Sequence, residues 1–130
     1  ELDAAANRLA RLLIAHGAGP ERYVAVSLPR SADWMITLWA ITRTGAAWVP
    51  VDPNYPPERI AFMVGDSGAR LLVTDTESAA SGDVADDRDP GRDLHTVILD
   101  DPATDAARKA LPHGPIRAGE LDGPTSVDHP

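Results

Sequence analysis

The glycines near the start of the chain are the first residues whose spacing suggests phosphate chemistry. Gly17-Ala18-Gly19 has the G-x-G spacing of a dinucleotide-binding loop. Such a loop must leave a strand and enter a helix, so that the phosphate meets the helix N-terminus. These glycines follow a helical pattern and precede a strand pattern, so the favoured interpretation is that Gly17 ends a helix. The sequence has no G-x-x-x-x-G-K-[ST] loop, and its single lysine, Lys109, is expected to be solvated rather than catalytic.

Nucleophilic and metal chemistry find equally little support. Ser27 and Ser31 lack the G-x-S-x-G context of a hydrolase nucleophile. The sequence has no cysteine, which excludes thiolate sites and disulfides. The histidines are far apart in the sequence, lack a carboxylate at metal-ligand spacing, and are expected at the surface or at helix ends: His16, His95, His113 and His129.

One acidic and one aromatic cluster have simpler structural explanations. The aspartates lack the ligand spacing, the central Gly and the terminal Glu of an EF-hand, and predict a solvated loop: Asp83, Asp86, Asp87, Asp89 and Asp93. The tryptophans are large enough to stack on a ligand, but core packing is the favoured interpretation: Trp34, Trp39 and Trp48. The residues therefore predict no catalytic, cofactor-binding or metal-binding site within the chain.

The net charge of −8 is concentrated in the second half of the chain. Residues 1–74 contain seven acidic residues and seven arginines, so the whole excess of negative charge lies in residues 75–130. An acidic chain is repelled by phosphate backbones, which argues against nucleic acid as a partner. No apolar run approaches the ~20 residues of a membrane helix, so a membrane is not expected as a partner either. A cytoplasmic location is the expectation.

The elements that must position any site follow from apolar periodicity and from Gly and Pro. Strands alternate with helices, and a strand–helix–strand unit of about 30 residues favours parallel pairing with a right-handed crossover. The fold class predicted is therefore α/β, an open and mainly parallel sheet with flanking helices. Residues 1–74 form its well-patterned part, residues 75–95 are expected to be a flexible acidic loop, and residues 96–130 a weakly structured end. The predicted helices are 2–16, 32–44, 57–66 and 102–110, and the predicted strands are 23–28, 46–51, 70–74 and 96–99.

Residues 43–59, RTGAAWVPVDPNYPPER, resemble a core motif of the adenylation domains of nonribosomal peptide synthetases. The family motif runs roughly [L/T]-K-[A/T]-G-x-A-[Y/W]-V-P-[I/L/V]-D and then P-x-Y-P-x-E-R, so Arg43 stands where Lys is usual. Residues 1–10 are similar to the family's opening motif without its leading Thr-Tyr pair, and residues 62–74 to the stretch that follows the core motif. Residues 128–130 resemble the segment just before the family's phosphate-binding loop. The resemblance is close over residues 1–74 and loose over residues 96–130.

The resemblance implies that residues 1–130 are the N-terminal part of the large subdomain of an adenylate-forming enzyme. The implied reaction joins an amino acid to ATP, giving aminoacyl-AMP and pyrophosphate, and then transfers the aminoacyl group to a carrier protein as a thioester. The implied cofactors are ATP with Mg and the phosphopantetheine of the carrier. Implied partners are the remainder of the adenylation domain, peptidyl carrier and condensation domains, and an MbtH-like protein. Since the groups that bind ATP belong to the continuation, this part is expected to be an inactive scaffold.

Two alternatives stay open at the level of sequence. An acyl- or aryl-CoA ligase of the same superfamily shares the pattern of residues 66–70, although such ligases more often have Asn at the position of Asp52. The other alternative is a free-standing α/β module that binds a partner without catalysis. A free-standing module would cover its apolar surface, whereas part of a larger domain would leave apolar surface exposed.

Overall fold

A computed structural model describes residues 2–81, 94–117 and 119–120 of the chain. Helices and strands alternate over the first 74 residues, and each predicted element is present with each end within one residue of its predicted position. The elements are α1 (Leu2–Ala15), β1 (Tyr23–Ser27), α2 (Ala32–Thr44), β2 (Ala47–Pro50), α3 (Pro57–Ser67), β3 (Leu71–Thr74), α4 (Thr76–Ser81), β4 (His95–Ile98) and α5 (Pro102–Lys109).

The four strands form one parallel sheet in the order β2-β1-β3-β4. β1 is hydrogen-bonded to β2 on one side and to β3 on the other, with Val24 opposite both Trp48 and Leu71. The parallel strand–helix–strand unit predicted for β1, α2 and β2 is therefore confirmed. Because the chain moves from β1 to one neighbour and then to the other, the strand order reverses beside β1.

The core lies on both faces of this sheet. One cluster packs α1 and α2 against Val24, Val26 and Val73, while the other packs α3 against Ala25 and Leu72. Alternate residues of β1 therefore face opposite clusters, and Val24, Ala25 and Val26 are all fully buried. Burial on both faces explains why β1 and β3 have continuous apolar sequences rather than an alternating pattern.

Glycines end the first three helices, as the sequence predicts. At the end of α1 the Ala18 amide donates to the Leu13 carbonyl and the Gly17 amide donates to the Ile14 carbonyl, at 2.9 and 3.0 Å. This pair of bonds is the Schellman motif, and Gly17 has the positive φ of 106° that the motif requires. Gly17 thus ends a helix, as the sequence predicts.

Helix α2 is buried on one side only. Its buried residues lie on the sheet side, whereas Met35 is 42% exposed. Trp34 is half-buried and packs against the core, as predicted, and Trp39 is half-buried. Trp48 on the edge strand β2 is 41% exposed and departs from its predicted core position. The reason is that no described element lies against the outer side of α2 or beyond β2.

Helix α4 is the second correction, because it occupies the start of the predicted acidic loop 75–95. Asp75 begins the helix by accepting a hydrogen bond from the Ser78 amide at 2.7 Å, the arrangement of an N-cap. Residues 82–93, with the aspartate cluster proposed as a solvated loop, lie outside the described residues.

Residues after α5 have no helix or strand up to residue 117, as predicted, but Arg11 of α1 organises them. Its guanidinium donates to the backbone carbonyls of Pro112, Gly114 and Pro115 at 2.7–3.0 Å, and makes a forked ion pair with Glu120. The Arg11 side chain is only 11% exposed. A planar cation with a rigid set of donors is suited to collecting several oxygens in this way.

Replacing Gly45 by Ala should destabilise the protein more than replacing Gly68 by Ala. Both glycines end helices at positive φ, 88° and 78°, where an L-residue costs roughly 1–2 kcal/mol. A Cβ on Gly45 would also lie 3.2 Å from Pro20 Cγ, whereas a Cβ on Gly68 would meet nothing within 4 Å. Urea unfolding followed by circular dichroism measures both losses, and equal values for the two variants would contradict a steric role for Pro20.

Replacing Arg11 by Ala should lower the free energy of unfolding by about 2 kcal/mol and speed amide exchange in residues 111–117.

The Arg11 hydrogen bond holds the pKa of Glu120 below its ordinary value of 4.5. Because the pKa of Glu120 is lower in the folded state, its ionised carboxylate stabilises the fold at pH values above the unfolded pKa. This contribution is lost as the pH falls through the folded pKa. The E120Q variant should therefore lose stability at pH 7 and show a shallower acid dependence, and unchanged acid dependence would count against the ion pair.

Candidate functional site

An open crevice of about 700 Å³ lies beyond the carboxyl ends of β1, β2 and β3. In open α/β sheets, ligands bind outside the carboxyl ends of the strands at the point where strand order reverses. That point lies between β1 and β3 in this sheet, so the crevice is the candidate functional site. The residues used below are Arg30 and Trp34, which follow β1, Asp52 and Tyr55, which follow β2, and Glu77 and Ser78 of α4.

The loop after β2 forms one wall of the crevice and is shaped by Asp52. The Asp52 carboxylate accepts a hydrogen bond from the Asn54 amide at 2.9 Å, and its carbonyl accepts from the Tyr55 amide at 3.1 Å. An Asp side chain that bonds the backbone two residues later stabilises a turn. The Tyr55 ring, held by this turn, packs under the Arg59 guanidinium at 4.7 Å.

The opposite wall is α4, which Asp100 ties to the end of β4. The Asp100 carboxylate accepts from both the amide and the hydroxyl of Thr76, each at 2.8 Å. The hydrogen bond from the Thr76 hydroxyl and then that from its amide lower the pKa of Asp100, so this carboxylate is ionised at neutral pH. The first turn of α4 is thus fixed, and it brings Glu77 and Ser78 to the crevice.

Electrostatically, the crevice is poor in cations. Of its described lining residues, Arg30 carries the one positive charge and Asp52 and Glu77 carry negative charges. The Arg30 guanidinium stacks on the Trp34 ring at 4.8 Å. One cation against two carboxylates cannot neutralise the phosphates of a nucleotide, so these residues are suited to shaping a site rather than to binding a triphosphate.

The residues considered as possible catalytic groups, Lys109, Ser27 and Ser31, are exposed, buried in the sheet or hydrogen-bonded to the backbone. Lys109 is 71% exposed and forms an ion pair with Asp105 at 2.9 Å, which confirms that it is solvated. Ser27 is buried in the sheet, and the hydroxyl of Ser31 donates to the Pro29 carbonyl. Within the described residues no group of three or more His, Cys, Asp or Glu side chains is arranged to hold a metal ion.

Two of the histidines form a contact that the sequence does not predict. His16, just after α1, and His95, the first residue of β4, are both exposed as predicted, yet their rings stack with centroids 4.1 Å apart. Sequence reasoning missed this pair because it depends on where β4 is placed beside α1. His113 is exposed, and its carbonyl accepts from the Asn7 side chain, while His129 lies outside the described residues.

The motif at residues 43–59 is built from contacts that fix backbone geometry. Arg43 donates to the Asp3 carboxylate at 2.8 Å and to the Asn7 side chain at 3.0 Å, which joins α2 to α1. The Thr44 hydroxyl donates to the Ile41 carbonyl and accepts from the Ala46 amide, so it closes the turn around Gly45. The motif therefore sets the exit of the chain from α2 into β2 and then into the crevice wall.

Residues 1–126 match the family model described as AMP-binding enzyme. The chain belongs to the AMP-binding enzyme family. Among curated proteins it is 40% identical over 130 residues to the probable non-canonical nonribosomal peptide synthetase CymA of Salinispora arenicola. It is also 41% identical over 128 residues to novobiocin biosynthesis protein H of Streptomyces niveus. The resemblance to nonribosomal peptide synthetases carried by residues 43–59 is thereby confirmed.

The relatives that the chain matches are much longer than the chain itself. The matches cover all of the chain but 2% of CymA, and 98% of the chain but 20% of novobiocin biosynthesis protein H. Among solved structures, a fatty acyl CoA synthetase of Mycobacterium tuberculosis superposes on 88% of the chain and 23% of its own length, with a TM-score of 0.75 at 23% identity. The nonribosomal peptide synthetase FmoA3 superposes on 90% of the chain and 12% of its own length, with a TM-score of 0.67 at 23% identity.

These structural similarities establish the fold that the AMP-binding family shares, an α/β sheet flanked by helices. Identities of 20–24% in the structural matches do not separate the CoA ligases from the peptide synthetases, because both groups are present at similar scores. None of the helices within the described residues is long and apolar enough to cross a membrane.

The D52A and D52N variants test the turn that forms the crevice wall. D52N keeps a side-chain oxygen that accepts from the Asn54 amide and should change the free energy of unfolding by less than about 0.5 kcal/mol. D52A loses the acceptor and should cost about 1 kcal/mol. Thermal and urea unfolding measure both values. Equal losses in the two variants would show that the hydrogen bond does not hold the wall.

Proposed function

We propose that this chain is the N-terminal scaffold of an adenylation domain that activates an amino acid for nonribosomal peptide synthesis. In the complete domain the amino-acid carboxylate attacks the α-phosphate of ATP, which forms aminoacyl-AMP and releases pyrophosphate. A carrier-protein thiol then takes the aminoacyl group as a thioester. The identities of about 40% to peptide synthetases support this choice within the family.

The observation that carries the scaffold role is the charge of the crevice. The crevice occupies the edge of the sheet where α/β enzymes bind ligands, yet Arg30 is its one cation among the described lining residues. Arg30 is stacked on Trp34 and faces a crevice that also contains Asp52 and Glu77. Phosphoryl chemistry needs cations and backbone donors around the phosphates. In this proposal the rest of the domain supplies the cations and backbone donors. The residues that line the crevice form the surface on which those groups are positioned.

The cofactors and partners of the proposal follow from the reaction. ATP with Mg would be bound by residues outside this chain, since the described carboxylates of the crevice are engaged in a turn or exposed on α4. The phosphopantetheine belongs to a peptidyl carrier domain, and a condensation domain would use the thioester. An MbtH-like protein is a further proposed partner, and the cytoplasm, where ATP is available, is the proposed location.

Exposed apolar side chains support packing against the remainder of the domain. Helix α3 packs on one face of the sheet, and Phe62 on that helix is 69% exposed. Trp48 on the edge strand is 41% exposed. Large exposed apolar groups mark interaction surfaces. Since the relatives extend well beyond this chain, the occupant we propose is the rest of the same adenylation domain.

Two other functions are weaker. A CoA ligase of the same superfamily would share the fold, but the relatives at about 40% identity named above include peptide synthetases, and Asp52 matches their motif. A free-standing module without catalysis would be expected to cover groups such as Phe62.

The test is amino-acid-dependent exchange of labelled pyrophosphate into ATP. The chain alone should give no exchange above background with any proteinogenic amino acid, because the described lining of the crevice has a single cation for the phosphates of ATP. The parent protein, expressed from the same gene with its continuation, should give exchange with at least one amino acid. Exchange by the chain alone would overturn the scaffold role, and a parent that consumes free CoA with an acyl substrate instead would favour the ligase.

A further inference from the structure

A second pocket, of about 480 Å³, lies at the amino edge of the sheet, opposite the crevice. It is formed by the loop between α1 and β1 together with the first residues of β3 and β4. Its chemistry comes from six side chains: His16, Glu21, Arg22, Tyr23, Arg70 and His95. In a chain of net charge −8, this pocket collects two guanidinium groups and two imidazoles against one carboxylate among its described lining residues.

The two arginines are held at the pocket by their backbones. The Arg22 carbonyl accepts from the Ala47 amide at 3.0 Å, and the Arg70 carbonyl accepts from the His95 amide at 2.8 Å. Each arginine therefore extends the hydrogen-bonded pairing of its strand by one residue. Its backbone is fixed at the amino end of that strand. Within the part of the chain that the structure describes, neither guanidinium forms a hydrogen bond or an ion pair with another side chain. Both are left with donors free for a ligand.

Two stacked histidines lie beside the arginines in the same pocket. Their rings stack at 4.1 Å with an interplanar angle of 20°. Burial, and then repulsion from His95, lower the pKa of His16 below its ordinary value of 6.5. An anion in the pocket would favour the protonated imidazole, because an opposite charge nearby raises a histidine pKa. The charged and titratable groups that line the pocket around the pair are Glu21, Arg22, Tyr23 and Arg70.

We propose that this pocket, the basic pocket, binds a phosphate-type dianion through Arg22, Arg70 and the stacked histidines. Arginine suits phosphate because its planar donors match two phosphate oxygens at once. Free phosphate and a phosphate ester share this chemistry, and the pocket volume admits either. The basic pocket lies at the opposite end of the strands from the crevice, so it is separate from the site of the proposed activation reaction.

The experiment is a titration followed by NMR, observing the imidazole Cε1–H signals of the protein. Inorganic phosphate and glycerol 2-phosphate are added at pH 7 in separate arms, and sodium chloride of equal ionic strength is the reference. Both phosphates should shift the His16 and His95 signals in a saturable way and raise the pKa of His16, while chloride should not. A stronger response to the ester would identify an ester as the preferred form, and equal responses would identify the phosphate group alone.

Two variants with the same change of charge separate binding at the basic pocket from a general effect of net charge. R70A should weaken phosphate binding by about tenfold, the loss of one charge-assisted contact. R59A removes an exposed arginine of α3 that lines neither pocket and should bind phosphate as the unmodified protein does. R22A provides an independent test if R70A perturbs β3. Histidine signals that follow phosphate no more than chloride, or an R70A and R22A response equal to that of R59A, would overturn the proposal.

Discussion

The fold depends on the burial of β1 between two neighbours and two layers of helices. Val24, Ala25 and Val26 are fully buried, and they point alternately to the cluster of α1 and α2 and to the cluster of α3. Parallel strands need connections that return from the carboxyl end of one strand to the amino end of the next, and helices provide these connections while covering the faces of the sheet. The reversal of strand order beside β1 opens the crevice at one end of the strands. The basic pocket forms at the other end, where the loop after α1 enters the same strand.

Much of this could be predicted because Gly and Pro mark the ends of the elements. Gly17, Gly45 and Gly68 end helices at positive φ, and Pro57 begins α3, so periodic apolar segments between them were readily assigned. The sequence missed α4 because the composition of residues 75–95 favours a loop. Asp75 is a residue type typical of a helix N-cap, but this signal by itself is weak. Exposure of Trp48 was missed because an aromatic residue in a strand has the same pattern on a central strand and on an edge strand.

The candidate site shows the same division between local and tertiary information. The position of the crevice follows from a parallel sheet whose order reverses, and the turn at Asp52 is visible in the sequence as a Pro-rich segment that begins with an aspartate. The pairing of Arg30 with Trp34, and the stacking of His16 on His95, depend on how separate elements pack. The family motif of residues 43–59 was specific in sequence because Arg43, Thr44, Gly45 and Asp52 each fix a backbone contact. A motif made of such contacts identifies a family without containing its chemistry.

Arg11 has a consequence for how the chain is made on the ribosome. The ion pair that it forms joins residues 109 positions apart, so the guanidinium has no native carboxylate partner until residue 120 has been translated. At ordinary rates of translation this interval lasts roughly 5–20 s, far longer than α1 needs to form. Until then the Arg11 guanidinium is hydrated instead of being paired with its native carboxylate. Final closure of this part of the molecule is thereby linked to the arrival of the last described segment.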